Sequence, residues 1–315
     1  MTSSELNTDS PKKFLLTPQQ WALLVLLLTP ALLCSNMIVA RAVADTVPPF
    51  TLAFTRWLVA VLVLLPFIGV QLYQARAILA QEWRQLLMLG ILGMGICGAF
   101  PYIGARTTTA TNIGLIYALS PIFVIIFARF LYAVHLNKRQ LLGVVFAFVG
   151  VLVIVAKGDL QVLKQLNFTV GDIWVLAAAA SWGFYSLWQG HLKSQLSLFL
   201  RFTAMSIGGV IVLAPFAAVE LYQQLPELIT SEFIDTFVLT IPFLAFISSI
   251  TAYAAYAYII KTLGASKASL VMYAIPLYNA ALAWAILGEE LERFHLLGAL
   301  LILPGLFLAV SKKKK

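Results

Sequence analysis

Residues 109–121 read TATNIGLIYALSP and residues 264–276 read GASKASLVMYAIP. Each stretch opens on small and polar residues, carries a Tyr and stops on Pro, in surroundings otherwise apolar enough for a bilayer. At an offset of 155 residues Ala110 falls on Ala265 and Pro121 on Pro276. The same offset carries Leu141-Leu142-Gly143 onto Leu296-Leu297-Gly298 and Gly150 onto Gly305. Further upstream an offset of 149 places Phe50 on Phe199 and Pro66-Phe67 on Pro215-Phe216. Leu and Ala coincide often by chance, but Pro and Gly held at one offset across two helices mark an internal repeat.

The solvent of this repeat is lipid. Hydrophobic residues make up 61% of the chain and charged residues only 11%, with a mean hydropathy of +0.93, outside the range of a soluble domain. A hydrocarbon core takes about 20 helical residues to cross. Apolar runs between polar breaks predict ten transmembrane helices near 20–40, 50–72, 83–103, 108–131, 139–156, 171–190, 200–221, 235–260, 264–287 and 293–311. The fold class expected is an all-α integral membrane protein. Residues 1–19 are expected to be a polar tail, 20–156 the first five-helix unit, 157–170 a linker, 171–311 the second unit and 312–315 a basic C-terminus. The first apolar run continues to Ala40 without a small-x-small cleavage site, so it reads as a retained span rather than a signal peptide.

Charge gives direction. Lys12, Lys13, Arg76, Arg84, Lys138, Arg139, Lys193, Arg201, Lys261, Lys267 and Lys312 to Lys315 fall on one side, and Arg41, Arg106, Lys157, Lys164 and Arg293 on the other. The cation-rich side is cytoplasmic, which puts both termini inside. Five helices per unit is an odd number, so the second unit enters the membrane in the opposite sense. An inverted repeat of this kind builds two access paths to one central site. The formal charge of +8 has no basic domain to house nucleic acid. Cys34 and Cys97 lie in apolar runs and read as small buried hydrophobes, not as disulfide or metal ligands. No metal and no cofactor is expected; the bilayer and a small-molecule substrate are, and monomer and homodimer both stay open.

Polar groups at depth are costly unless they face a cavity or another helix. In the first span these are Thr29, Ser35 and Asn36. In the second, Arg56 is the only cation well inside an apolar run, at a cost of about 2.5–3.5 kcal/mol if central; an inward role is expected, holding helices or attracting an anionic group. The third span carries Gly90, Gly93, Gly95 and Gly98, then Pro101 and Tyr102. In the fourth, Asn112, Ile116 and Ser120 share a face, with Tyr117 beside them and Pro121 as a hinge. The sixth span offers Ser181, Trp182, Tyr185 and Trp188, and the eighth Ser249, Tyr253 and Tyr256. Mid-span Tyr and Trp suit either ordinary packing or a pocket that stacks a planar or apolar solute. In the ninth span Ala265, Ser269 and Tyr273 align, Asn279 follows, and Pro276 is the second hinge. A cavity lined by spans 1, 3, 4, 6, 8 and 9 is expected. All thirteen acids fall in tails, loops or span ends, which leaves no visible carboxylate for a proton relay.

With CSNMIVAR at 34–41, SWGFYSLW at 181–188, TATNIGLIYALSP, and GASKASLVMYAIPLYNAALAWAILGEE at 264–290, the chain resembles the EamA-type carriers of the drug/metabolite transporter superfamily over residues 20–311. The resemblance implies a bacterial inner-membrane carrier of small metabolites, often an exporter of amino acids, working by alternating access. A carrier of phosphorylated or nucleotide-linked sugars is the alternative, although it calls for several intramembrane cations. A membrane-embedded enzyme has no HExxH or phosphate loop to stand on. A receptor without transport is a third class, told apart by binding without flux.

Overall fold

The structure is a computed structural model that describes residues 17–108, 110–134, 137–159, 161, 169–228, 231–287 and 292–310. The expected N-terminal tail, most of the linker and the basic C-terminus lie outside these residues. Helix starts follow local chemistry. In α1 (Pro18–Ala42) Thr17 Oγ1 accepts from Gln20 N while Thr17 N donates to Gln20 Oε1, and Pro18 occupies a first turn where its missing N–H goes unused. Asn137 and Gln140 repeat the box at α6 (Lys138–Val155). At α7 (Val170–His191) the Asp172 carboxylate accepts from Thr169 N at 2.5 Å. The first turn of α2 (Pro49–Gln74) is served from α8 (Leu198–Leu228): Glu220 Oε2 accepts from Thr51 N at 2.7 Å and from Thr51 Oγ1 at 2.9 Å.

The third expected span, α3, runs as Arg76–Gly90, widens into a π segment at Ile91–Ile96 and finishes as Cys97–Ala105. The eighth does likewise: α9 runs as Ser231–Phe243, a π segment at Leu244–Thr251, then Ala252–Leu263. Carried forward by 155 residues, Ile91–Ile96 lands within the second π segment. The repeat is therefore written in the backbone as well as in the residues.

The fourth span is divided. It comprises α4 (Ala110–Tyr117) and α5 (Ser120–Tyr132), with a turn at Ala118 and Leu119 and Pro121 in the first turn of α5. The ninth comprises α10 (Ala265–Ala268) and α11 (Val271–Leu287), with its turn at Ser269 and Leu270 and Pro276 inside the second helix. The two turns differ by four residues in repeat register. Each breaks the 3.6-residue phase that a continuous helix keeps.

The last helix, α12 (Arg293–Val310), packs along α6. A Cβ on Gly143 would lie 2.5 Å from Gly305 O, and one on Gly150 would lie 2.9 Å from Gly298 O. Numbers rise along one helix as they fall along the other, so the pair is antiparallel. Under the repeat Gly143 corresponds to Gly298 and Gly150 to Gly305, and the contact maps onto itself as at a two-fold axis. The pair of α2 and α8 is also antiparallel, with Phe50 stacked on Phe216 at 5.1 Å and Trp57 edge-on to Phe202 at 6.2 Å.

Among the described residues seven helices are long and apolar enough to cross a membrane, not ten. The helices in the expected sixth, ninth and tenth positions fall short of that standard. Polar residues such as Asp172, Ser181, Ser186 and Gln189 dilute α7, the turn shortens the ninth, and the tenth counts only over Arg293–Ala309 among the described residues. One core joins α1, α2, α3, α7, α8 and α9 with one side of the divided spans, and a second joins α6 and α12 to their other side.

Candidate functional site

Six helices converge on a small cavity. Asn36 of α1, Cys97 of α3, Tyr117 of α4, Trp182 of α7, Tyr253 of α9 and Met272 of α11 all line it. These are spans 1, 3, 4, 6, 8 and 9, the six expected around a cavity. Its volume, about 30 Å³, admits roughly one or two waters and no amino acid.

The polar centre of this region is Asn36. Its Oδ1 accepts from Arg56 Nη1 at 2.9 Å and from Tyr102 Oη at 2.6 Å. Arg56 is 1% exposed, in a helix whose other face meets lipid, so it points inward instead of snorkelling. Its Cζ sits 5.0 Å from the ring centroid of Trp57 and 5.4 Å from that of Tyr102, within cation–π range. Ser35 Oγ meets Ser248 Oγ at 2.9 Å, and Ser248 also lines the cavity.

The π segment of α3 shapes the opposite wall. Widening the helix turns carbonyls away from the ordinary ladder. Leu92 O accepts from Ser181 Oγ at 3.0 Å and Gly93 O from Tyr253 Oη at 2.8 Å. Gly93 is required here, because a Cβ on it would meet the Tyr185 ring at 2.6 Å. Trp182 lies edge-on to Tyr253 at 5.2 Å and against Tyr256 at 4.7 Å and Tyr185 at 5.6 Å. Beyond the cavity, Tyr256 Oη pairs with Ser186 Oγ at 2.8 Å, and Tyr185 Oη accepts from Gln189 Nε2 at 3.1 Å.

The structure thus brings together Ser35, Asn36, Arg56, Tyr102, Tyr117, Trp182 and Tyr253, with Tyr185 and Tyr256 packed behind Trp182. It separates others from them. Asn112 is buried at the start of α7, where Nδ2 donates to Asp172 Oδ1 at 3.2 Å and Thr108 Oγ1 donates to the same oxygen. Ser120 is fully buried with its Oγ unpartnered among the described residues. The turn at Ala118 and Leu119 is what takes Asn112 and Ser120 off a common face. Tyr273 packs in the second core, with its ring 6.4 Å from that of Phe148. The side chain of Asn279 lies outside the described residues.

Sequence reasoning missed Trp57, Ser248 and Asp172, and singled out Gly98 only as one of four closely spaced glycines in the third span. Trp57 and Ser248 carry no signal apart from apolar spans. Asp172 does: it stands three residues after Thr169, the spacing of a helix-start box, and it is 5% exposed despite its place at a span end. It ties α7 of the second unit to α4 of the first.

The model of the EamA-like transporter family matches residues 20–156 and 169–311. The uncharacterized transporter YyaM of Bacillus subtilis (strain 168) is 30% identical over 224 residues, which cover 71% of this chain and 72% of that protein. An uncharacterized transporter of Archaeoglobus fulgidus is 26% identical over 92% of this chain and 97% of its own length. The uncharacterized inner membrane transporter YedA of Escherichia coli (strain K12) is 26% identical over 83% of this chain and 81% of its own. A solved crystal structure aligns with a TM-score of 0.68 at 19% identity, over 92% of this chain and 96% of that one, a likeness of fold alone.

Proposed function

The chain belongs to the EamA-like transporter family, and from that premise we propose that it exports a small uncharged or zwitterionic solute, an amino acid or a close relative, by alternating access. In this reading ten helices span the bacterial inner membrane as two inverted units, 20–156 and 171–311, with both termini cytoplasmic. The antiparallel, self-mapping pair of α6 and α12 and the matching π segments support the inverted repeat. YedA's description as an inner membrane transporter supports the location.

The observation that carries the reading is the placement of Asn36, Arg56 and Tyr102 beside a small cavity that both units line. Polar groups kept this deep are costly unless used. Trp182 and Tyr253 give the solute apolar faces. A single inward cation at the site favours a zwitterion over a phosphorylated sugar, whose two or more charges call for more than one. The cavity must widen before a solute enters. The turns in the divided fourth and ninth spans, just before Pro121 and six residues before Pro276, are where the backbone can bend at least cost, since tighter i→i−3 bonds replace part of the helical ladder there.

The test is a screen of amino acids and sugar phosphates in proteoliposomes of the purified protein, with and without a pH gradient. Saturable flux of at least one amino acid, with sugar phosphates inert, is the expected result. Sugar phosphate exchange alone would replace this reading with the alternative, and binding without flux would make the protein a receptor.

A further inference from the structure

A guanidinium has two edges that can grip an oxyanion in parallel, and here one of them is free. Asn36 occupies only Nη1 of Arg56. Nε and Nη2, the side-on edge whose two N–H bonds match the two oxygens of a carboxylate, are buried with no hydrogen-bond partner among the described residues. Trp57 Nε1 is a third such donor, on a side chain that is 0% exposed. Buried donors of this kind are nearly always paired, so three in one place call for an explanation.

They are together because of Gly98. A Cβ on Gly98 would lie 3.3 Å from Trp57 Nε1 and 3.6 Å from Arg56 Nη2. The missing side chain leaves its space facing both donors. The spot borders the cavity: Gly98 follows Cys97, Arg56 is bonded to Asn36, and the Trp57 ring is edge-on to Tyr253 at 4.8 Å, and Asn36, Cys97 and Tyr253 all line that cavity.

We propose that the solute bears a carboxylate, and that this group docks on the Nε–Nη2 edge of Arg56 with Trp57 Nε1 as third donor, in the space that Gly98 leaves open. The proposal rests on the transport reading for the word solute, and names the substrate class of the same site. One guanidinium balances one negative charge, so the class is monocarboxylates, including zwitterions, and not phosphate esters. Gly98 then acts as a specificity residue, because a methyl group there fills the space over the donors, pressing on Trp57 Nε1 at 3.3 Å and touching Arg56 Nη2 at an ordinary 3.6 Å.

The experiment measures the melting temperature of the detergent-purified protein against benzoate, acetate, benzamide, inorganic phosphate and chloride. Benzoate or acetate is expected to raise the melting temperature with concentration, and benzamide, phosphate and chloride not to. Apparent affinity is expected to fall at least about tenfold in Gly98→Ala, in Trp57→Phe and in Arg56→Lys, the last of which keeps the charge but loses the fork. Gly98→Ala and Trp57→Phe together guard against one variant failing to fold. No shift with either carboxylate, an equal shift with benzamide, phosphate or chloride, or carboxylate binding unchanged in all three variants would overturn the subsite. Failure here with transport intact would appear as amino acid flux that Arg56→Lys and Gly98→Ala leave unchanged. Carboxylate binding with no flux of any solute would instead support the subsite and sink the transport reading.

Discussion

Gly143→Leu is expected to lower thermal stability by about 3 kcal/mol or more, the upper range for overpacking, and to reduce the recoverable folded protein. The reason is what its Cβ would meet. Gly305 O lies 2.5 Å from that position and Ala309 N 2.6 Å. Both are backbone atoms of a packed helix, so no rotamer change relieves the clash, and α6 and α12 must separate. Small residues are what allow two helices in lipid to approach this closely, where burial of apolar surface gives little drive. Gly69 is the control, since a Cβ there meets nothing within 4 Å. Gly69→Ala is expected to be neutral or slightly stabilising, as in any exposed helix. Thermal denaturation followed by size-exclusion chromatography measures both. Equal melting temperatures for Gly143→Leu and wild type would mean that the helix pair is not packed as described.

Asn36→Leu is expected to cut flux by about 10- to 100-fold, the range that loss of a charged hydrogen bond worth about 1.5–3 kcal/mol allows. Asn36 Oδ1 is the one acceptor that holds Arg56 Nη1 and Tyr102 Oη. Without it the guanidinium keeps only the two aromatic rings, and nothing fixes which edge faces the cavity. Asn36→Asp keeps both hydrogen bonds and places a charge beside the guanidinium. It is expected to preserve abundance and to weaken any anionic solute, because the site's single positive charge is then already balanced. Substrate uptake normalised to the amount of folded protein measures these effects. Wild-type flux in both variants would remove Asn36 from the site.

Much of this arrangement was legible in the chain. Apolar runs marked the helices, and Pro121, Pro276, Gly143, Gly150, Gly298 and Gly305 disclosed the repeat, because Pro and Gly answer to backbone geometry more than to hydrophobicity. Mid-span polarity picked out Asn36 and Arg56, since lipid penalises such residues wherever they do not face inward. Other features left no local trace. A π segment has no compositional signature distinct from an α-helix, so the carbonyls that Leu92 and Gly93 offer to Ser181 and Tyr253 were invisible. The turns at Ala118 and Ser269 were unseen because Pro was read as the point of bending, whereas the break comes two or more residues earlier. That error of phase is why Asn112 and Ser120 seemed to share a face. Trp57 reads as filler in an apolar helix and Gly98 as one of four glycines that let helices approach closely, and only their meeting with Arg56 in three dimensions makes them a site.

The central claim is that the two units move against each other around the cavity, and a cross-link between them tests it most directly. Ser35 belongs to the first unit and Ser248 to the second, with their Oγ atoms 2.9 Å apart. The double variant Ser35→Cys, Ser248→Cys, oxidised in proteoliposomes, would tie α1 to α9, and wild type carrying Cys34 and Cys97 under the same oxidant is the control. The account predicts that uptake falls to background when the disulfide forms and returns on reduction. Undiminished uptake by the fully cross-linked protein would contradict it.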